Sequence, residues 1–451
     1  MSMDSIDSIN DLPRTLLEYI QIPLLAKVGV ALLLAALIAF AATPTVRKLA
    51  KKIGAVDVPK DERRMHSKPI PRMGGLAIFF GFVVTALVCV EMTGQIRGML
   101  IGALMIVVLG VLDDKFALPA LPKFLVQIAA ALVAVYYGNV IQFVSNPNVF
   151  SVEPYWDLGV LAIPITVFWI VAITNAVNLI DGLDGLAAGV ATISAVSMMV
   201  IAMFFGQATV AVLMAAIAGA CLGFLPYNLN PAKIFMGDTG STFLGFVLAT
   251  VSIHGLFKFY AIISFAVPFL LLGLPLFDTC FAILRRISRG QNPMSPDRSH
   301  VHHRLIDMGM NQKQAVAILY IISAVLGMCA VVLTTSGEIK AMILMIAFLI
   351  TGLIGARIYL INHRTTTEAL ENLVPEQPTE IPEGDSNIEE AVAEKQISEE
   401  ETPSEAEDTQ AEDLEADMDT DAAETQEQEV PTEEPETPAT QEAATPPEDA
   451  D

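Results

Sequence analysis

The run GLAAGVATISAVSMMVIAMFFGQATVAVLMAAIAGACLGFLPYNLNPA, residues 185–232, contains no Asp, Glu, Lys or Arg. One membrane-spanning helix needs about 20 apolar residues, so this run is long enough for two. Gly206 and Gln207 form the natural break between them. The stretch therefore predicts a pair of transmembrane helices, over residues 186–205 and 208–226.

Apolar segments of similar length recur through residue 361. The chain is 53% hydrophobic with a mean hydropathy of +0.54, which is more apolar than a soluble domain of this size. We predict an all-α, polytopic membrane protein with about eleven transmembrane helices. The other nine are expected near residues 21–43, 74–92, 98–112, 121–138, 158–176, 241–256, 259–284, 315–335 and 340–361.

Charge divides the chain into three parts. Residues 365–451 hold 31 of the 50 acidic residues and a single base, Lys395, whereas residues 1–364 carry a net charge of +6. We predict an N-terminal extracytoplasmic segment (1–20), a transmembrane domain (21–364) and a disordered acidic tail (365–451). This distribution argues against a soluble acidic enzyme and against nucleic-acid binding. Four scattered cysteines in apolar runs predict buried thiols without a disulfide or zinc site.

Basic residues fix the predicted orientation. Segments 44–72 and 285–313 are rich in Lys and Arg and should face the cytoplasm. With eleven helices, the N-terminus is then outside and the tail inside. The same parity places the connections near 113–120, 177–185 and 227–240 on the cytoplasmic side. Carboxylates and amides cluster in these connections, so a polar site at one membrane face is expected.

The first polar motif is Asp113-Asp114-Lys115, at the end of a predicted helix. Adjacent carboxylates at a membrane boundary are costly unless they bind cations or pair with bases. The motif predicts a base or metal-linked group beside a phosphate. A helix end entering water, with Lys115 as counter-ion, is the alternative.

In the second motif, Asn178, Asp181 and Asp184 recur at every third residue, and a glycine, Gly182 or Gly185, follows each aspartate. Neighbours at this spacing share one face of a helical turn. Hard oxygen donors suit Mg²⁺ and hydroxyl-rich ligands. A polar helix cap with packing glycines is the alternative.

The third motif runs from Asn228 through Phe235 to Asp238, where small residues precede an apolar helix. The free N–H groups of a helix N-terminus can bind phosphate. Phe235 could stack on a base. Alternatively, Asp238 is an ordinary helix cap and Phe235 a core residue.

Two basic segments complete the constellation. His300, His302, His303 and Arg304 predict recognition of pyrophosphate and sugar, because the Arg fork matches phosphate oxygens. Lys68 and Arg72 meet phosphate in one interpretation and act only as topology signals in the other. A solvated basic loop is likewise the alternative for the histidine segment.

These motifs resemble the polyprenyl-phosphate N-acetylhexosamine-1-phosphate transferases of glycosyltransferase family 4. The matches occur in family order: PRMGG at 71–75, DDK at 113–115, NAVNLIDGLDGLA at 175–187, FMGDTGS at 235–241 and HVHHR at 300–304. The His-Val-His-His-Arg pattern resembles the N-acetylglucosamine branch, whereas the muramoyl-pentapeptide branch typically carries three consecutive histidines.

The resemblance implies a multi-pass enzyme of the bacterial plasma membrane with its active site on the cytoplasmic face. It would transfer N-acetylglucosamine-1-phosphate from UDP-N-acetylglucosamine to undecaprenyl phosphate, releasing UMP and starting a cell-wall or surface polysaccharide. A phospho-N-acetylmuramoyl-pentapeptide transferase is the alternative within the family, and a membrane transporter is the alternative of another class. Family members are often homodimeric, although no residue indicates a dimer face.

The resemblance also implies roles for individual residues. Mg²⁺, with Mn²⁺ as a substitute, is expected at Asp238 and Asp181. Asp113 and Asp114 would lie near the lipid phosphate, with Asp113 as the candidate base. The remaining candidates would bind substrate: Asn178 and Asp184 the nucleotide, Asn228 and Phe235 the uracil, His300, His302, His303 and Arg304 the pyrophosphate and sugar, and Lys68 and Lys115 the phosphates.

Overall fold

The computed structural model describes residues 22–58, 69–145, 155–255, 263–290 and 300–336, with four single positions between 340 and 346. Four sequence predictions lie outside these residues: the N-terminal segment 1–20, Lys68, most of the helix predicted at 340–361, and the acidic tail 365–451.

The described residues are mainly helical, as predicted, and the helices carry the numbers α1 to α12. Their bounds are α1 Ile22–Ile53, α2 Gly75–Cys89, α3 Gly94–Phe116, α4 Ala120–Tyr136, α5 Ala162–Leu179, α6 Leu186–Phe204, α7 Ala208–Asn228, α8 Gly237–Gly255, α9 Ile263–Leu271, α10 Gly273–Ser288, α11 Val301–Asp307 and α12 Gln312–Ser336. A 3₁₀ turn, Gly159–Leu161, precedes α5.

Six of the described helices are long and apolar enough to cross a membrane: α1, α3, α5 with its preceding 3₁₀ turn, α6, α7 and α12. Helices α2 and α4 are apolar but shorter. The prediction of an all-α membrane protein is therefore confirmed at this level. The count of eleven spans and the outside position of the N-terminus stay predictions.

Two predicted helix boundaries are wrong. The single helix expected over 259–284 is two helices, α9 and α10, which meet at Leu272. Gly273 and Pro275 lie in the first turn of α10. Proline has no backbone N–H, which is tolerated in the first turn of a helix but disfavours a helix that continues through it from α9. Helix α1 extends to Ile53, past the predicted end at residue 43, because the Lys- and Ala-rich segment after the apolar stretch favours helix.

Small residues let the central helices approach closely. An added Cβ at Gly219 of α7 would lie 2.1 Å from the carbonyl oxygen of Leu32, and one at Gly223 would lie 2.2 Å from that of Ala36. Such glycines are typical of helix contacts in membranes. The hydrophobic effect does not drive helices together in lipid, so association depends on close packing of their backbones. Helix α7 is therefore packed against α1 along its length.

The outward face of α10 corrects the cysteine prediction. Cys280 is exposed on this helix beside the exposed aromatic rings of Phe277 and Phe281, whereas Cys221 and Cys329 are buried as expected. All four thiols are free. Apolar side chains pointing away from the protein are expected on a helix that faces lipid.

Two short hairpins connect the helices. Strand β1 (Val56–Asp57) pairs antiparallel with β2 (Ile70–Pro71), with Val56 opposite Pro71. Strand β3 (Phe143–Ser145) pairs antiparallel with β4 (Tyr155–Asp157). The β1–β2 hairpin contacts the segment before α8: Phe235 N donates to Pro71 O at 2.8 Å, and Gly74 N donates to Phe235 O at 2.9 Å. The hairpin and the start of α8 thus form one backbone-bonded unit.

This unit depends on a glycine–glycine contact, and substitution there should be destabilising. A Cβ on Gly75 would lie 2.0 Å from Gly240 Cα. Because both atoms belong to packed backbone, Gly75→Ala should lower the free energy of unfolding by about 2–3 kcal/mol. Thermal unfolding in detergent measures this. Gly29→Ala is the control, since its Cβ meets nothing within 4 Å; equal melting temperatures for the two variants would contradict the prediction.

Candidate active site

A cavity of about 670 Å³ opens where α5, α7, α8 and α11 meet the β1–β2 hairpin. Among the residues that the structure describes, its lining is strongly acidic, with Arg72 and His303 as the basic members. The carboxylates of the lining are Asp57, Asp114, Asp181, Asp184, Asp238 and Asp307. The predicted polar motifs of residues 178–184 and 228–238 therefore come together in one place.

Asp114 fixes the beginning of α8. Its Oδ1 accepts from the backbone N–H of Asp238 at 2.9 Å. Its Oδ2 accepts from the backbone N–H of Thr239 at 3.1 Å and from the Thr239 hydroxyl at 2.6 Å. These bonds satisfy N–H groups that a helix start leaves without intrahelical partners. Asp114 thereby sets the position of Asp238, although it also lines the cavity.

Asp238 is held by two side chains from other helices. Asn178 donates to its Oδ1 at 2.8 Å and also to Ser241 Oγ at 2.8 Å. Lys123 Nζ lies 3.3 Å from its Oδ2. The carboxylate is therefore oriented by α5 and α4 while it still lines the cavity.

Lys123 also joins Asp238 to Asp113. Its Nζ lies 2.7 Å from Asp113 Oδ2, while Asp113 Oδ1 accepts from Leu118 N at 2.8 Å. Asp113 is buried and does not line the described cavity. One ammonium thus bridges two carboxylates, which would otherwise repel each other.

Asp181 has a different environment from its neighbours. Burial, together with the negative charges of Asp238 and Asp114, raises its pKa to about 8 against the opposing effect of Arg72. A carboxyl group in this setting favours either a proton or a bound cation. The charge of Asp181 therefore depends on what occupies the cavity.

Asp184 and Asn228 hold the segment between α7 and α8. Asp184 Oδ2 accepts from Asn230 Nδ2 and from Ala232 N, both at 3.0 Å. Asn228 accepts from Gly185 N at 3.1 Å and donates to Ile234 O at 3.1 Å. Both residues line the cavity, as does Phe235. These bonds set the position of Phe235.

The histidine segment forms a short helix, α11, instead of the expected loop. Of its predicted binding residues, His303 lines the cavity. His302 is buried, and its ring stands where a Cβ on Gly182 would lie, 2.3 Å from Nε2. Burial lowers the His302 pKa to about 4, so the ring is neutral at pH 7. His300 is also buried, and its Nδ1 lies 2.9 Å from Asp278 Oδ2.

Besides His300 and His302, two more predicted substrate-binding residues do not line this cavity. Arg304 is exposed on α11. Lys115 is exposed at the end of α3, with its ammonium 4.7 Å from the centre of the Phe116 ring. Their roles in binding substrate stay predictions.

Comparison with known proteins identifies the family. The profile described as "Glycosyl transferase family 4" matches residues 96–256. The chain is 44% identical over 311 residues to the Bacillus subtilis (strain 168) protein named "Probable undecaprenyl-phosphate N-acetylglucosaminyl 1-phosphate transferase", an alignment covering 69% of this chain and 86% of the relative. The chain belongs to glycosyl transferase family 4.

Less similar relatives carry related names. The "Decaprenyl-phosphate N-acetylglucosaminephosphotransferase" of Mycolicibacterium smegmatis (strain ATCC 700084 / mc(2)155) is 38% identical over 66% of this chain and 79% of its own length. The "Undecaprenyl-phosphate alpha-N-acetylglucosaminyl 1-phosphate transferase" of Escherichia coli O157:H7 is 30% identical over 68% of this chain and 84% of its own length. The resemblance inferred from the motifs is thus confirmed for both family and branch.

Three site residues of this family 4 chain were missed by sequence reasoning. Lys123 bridges the carboxylates, Asp57 pairs with Arg72, and Asp278 pairs with His300. Lys123 did carry a signal, because a charged residue inside an apolar helix is functional by default. Asp278 carried the same signal, as an acid inside the helix predicted over 259–284. Asp57 carried none, since its partner lies in another segment.

The donor set of the cavity fits a divalent cation. Mg²⁺ usually takes one or two carboxylates and completes its shell with water and substrate phosphates. Within the described residues no cluster of three His, Cys, Asp or Glu side chains has the geometry of an all-protein metal site. Asp238 and Asp181 both line the cavity, and together they supply the one or two carboxylates that Mg²⁺ usually takes.

Gly182 should tolerate no side chain, because His302 occupies the space. We expect Gly182→Ala to displace the His302 ring and to lower transfer activity about tenfold, with a smaller effect on folding. Activity per folded protein, from size-exclusion profiles and initial rates, measures this. Gly94→Ala serves as the control, since its Cβ would lie 3.8 Å from the nearest atom. Full activity of Gly182→Ala would show that the ring position is unimportant.

Proposed function

We propose that this chain transfers N-acetylglucosamine-1-phosphate from UDP-N-acetylglucosamine to undecaprenyl phosphate and releases UMP. The observation that carries the proposal is the acidic cavity around Asp238, in a chain 44% identical to a relative named for this activity. Starting a cell-wall or surface polysaccharide is the role that follows. The UDP-sugar as donor is part of the proposal.

The proposed reaction exchanges one phosphoanhydride bond for another. An oxygen of undecaprenyl phosphate attacks the β-phosphorus of the UDP-sugar. The bond between the β-phosphorus and the bridging oxygen breaks, and its electron pair leaves with UMP. Such transfers depend mainly on alignment and charge neutralisation. A phospho-aspartate intermediate is the alternative route.

We infer Mg²⁺ as the cofactor, with Asp238 and Asp181 as the residues that would hold it and Mn²⁺ as a substitute. A bound divalent cation would neutralise charge on the diphosphate and on the departing UMP. The protein contributes the fixed direction of Asp238, which Asn178 and Lys123 orient. Asp113 forms an ion pair with Lys123. Its carboxylate is the group that would accept the proton of a singly ionised lipid phosphate.

The location follows from the lipid substrate. Six of the described helices are long and apolar enough to cross a membrane, and four of them, α3, α5, α7 and α12, each contribute one residue to the cavity lining. We infer the bacterial plasma membrane, with the cavity on the cytoplasmic face where the UDP-sugar is found. The basic end of α1, including Lys51 and Lys52, supports that orientation through the positive-inside rule.

The test uses UDP-N-acetylglucosamine labelled with ³²P in either phosphate. Purified full-length protein, undecaprenyl phosphate and Mg²⁺ should move the β-label into lipid and the α-label into UMP. UDP-N-acetylmuramoyl-pentapeptide is the competing donor and should give no lipid product. Lipid product only from the pentapeptide donor would overturn the branch. No product from either donor in folded protein would overturn the proposed function and favour a transporter.

Chelation tests the cofactor separately. EDTA should abolish transfer, and added Mg²⁺ or Mn²⁺ should restore it. Undiminished transfer in excess EDTA would exclude the metal assignment while leaving the reaction intact.

A further inference from the structure

Arg72 occupies the cavity wall formed by the β1–β2 hairpin. Its Nη2 lies 3.4 Å from Asp57 Oδ1, and its side chain is 40% exposed, against 12% for Asp57. Both residues line the cavity. The guanidinium is therefore held at the cavity surface and is accessible to a ligand there.

Backbone hydrogen bonds fix Arg72 relative to Asp238. Arg72 N donates to Ala55 O at 2.9 Å, on the facing side of the hairpin. Pro71, directly before Arg72, and Gly74, two positions after it, bond to Phe235, three positions before Asp238. The position of the Arg72 Cα atom is thus tied to the start of α8.

Arg72 can neutralise negative charge in a way that no other described lining residue can. Six carboxylates line the cavity, and Arg72 is the permanently charged cation among the described lining residues. A phosphate-bearing substrate entering such a lining would be repelled without cations to receive it. Arginine presents five N–H donors in a planar fork that matches phosphate oxygens, and the contact with Asp57 engages one terminal nitrogen.

We propose that Arg72 binds a phosphate group of the substrate in this cavity, with Asp57 orienting its guanidinium. The inference rests on the proposed function, because the phosphates are those of the donor or the acceptor. The same chemistry is offered by the diphosphate of the UDP-sugar and by the monophosphate of the lipid. Arg72 would then act as a binding residue, and Asp57 as a positioning residue.

The experiment compares three variants in the full-length protein. Arg72→Gln removes the charge, Arg72→Lys keeps it without the fork, and Asp57→Asn removes the ion pair but leaves the guanidinium. Lys52→Gln is the matched control: it removes one base from the neighbouring end of α1, and Lys52 is exposed and outside the cavity lining. Initial rates are measured against UDP-N-acetylglucosamine and, separately, against undecaprenyl phosphate. Binding of UDP and uridine is measured by calorimetry.

Arg72→Gln should raise the KM for one substrate about 10- to 100-fold, the usual range for a lost hydrogen bond to a charged group. Arg72→Lys should recover part of this loss, and Asp57→Asn should cause a clearly smaller loss. A raised KM for UDP-N-acetylglucosamine, with UDP binding weakened and uridine binding unchanged, identifies the donor diphosphate as the group that Arg72 binds. An effect confined to undecaprenyl phosphate identifies the lipid phosphate.

Two results would overturn the proposal. Arg72→Gln with both KM values within twofold of the unmodified protein would show that no phosphate binds there. Equal losses in Arg72→Gln and Asp57→Asn would show that the ion pair only stabilises the hairpin. Failure of the proposed function is distinguishable, because the unmodified protein would then make no lipid product, whereas the UDP and uridine titrations still report on Arg72.

Discussion

Replacing Asp238 by Asn should lower turnover by about 10³-fold while the protein stays folded. The side chains are nearly equal in size, and the oxygen that accepts from Asn178 is retained. The change removes the negative charge that lies at the start of α8 and lines the cavity. If this charge holds a cation beside the diphosphate, its loss leaves the negative charge of the reacting phosphates without neutralisation.

Turnover of Asp238→Asn is measured with the labelled donor under saturating substrates and Mg²⁺. Asp157→Asn is the matched control, because Asp157 is an exposed carboxylate of the β3–β4 hairpin, outside the cavity lining. The control should retain normal turnover. Activity of Asp238→Asn within tenfold of the unmodified enzyme would remove Asp238 from the metal assignment.

Replacing Lys123 by Met should lower turnover by about 10²-fold, the second largest effect expected. Lys123 Nζ lies 2.7 Å from Asp113 and 3.3 Å from Asp238, so its loss leaves two carboxylates facing each other without their shared cation. Breaking a buried ion pair by removing one partner typically costs about 3–5 kcal/mol. Lys123 is only partly buried, and we therefore expect less than this, divided between stability and activity.

A second substitution tests the reason for the Lys123 effect. Asp113→Asn in the Lys123→Met background removes one of the two unneutralised charges. The double variant should therefore be more stable than Lys123→Met alone, as a double-mutant cycle of melting temperatures would show. Additive losses in the cycle, or turnover of Lys123→Met within threefold of normal, would mean that the bridge is incidental.

Much of the site could be predicted because its residue types are unusual for their positions. Carboxylates at the ends of apolar helices are costly, so Asp114, Asp181 and Asp238 stood out by composition alone. Helix parity then placed them at one membrane face, and the structure brings all three to one cavity. That these motifs lie together could therefore be predicted without knowing any contact between individual side chains.

The remaining features depend on packing between distant segments. Lys123 meets Asp238 across 115 positions of sequence, and Asp278 meets His300 across 22. The hydrophobic pattern of residues 259–284 does not mark the break at Leu272 between α9 and α10, and the sequence signal for it is the pair Gly273 and Pro275. Local patterns carry no information on which side chains two elements bring into contact.

A crystal structure of the full-length protein with UDP and Mn²⁺ would test most directly whether this cavity is the active site. We expect UDP in the cavity, with its diphosphate between Arg72 and Asp238. We also expect one anomalous peak within about 2.5 Å of a carboxylate oxygen of Asp238 or Asp181. UDP bound elsewhere, or a manganese peak away from both carboxylates, would contradict the assignment of this cavity as the active site.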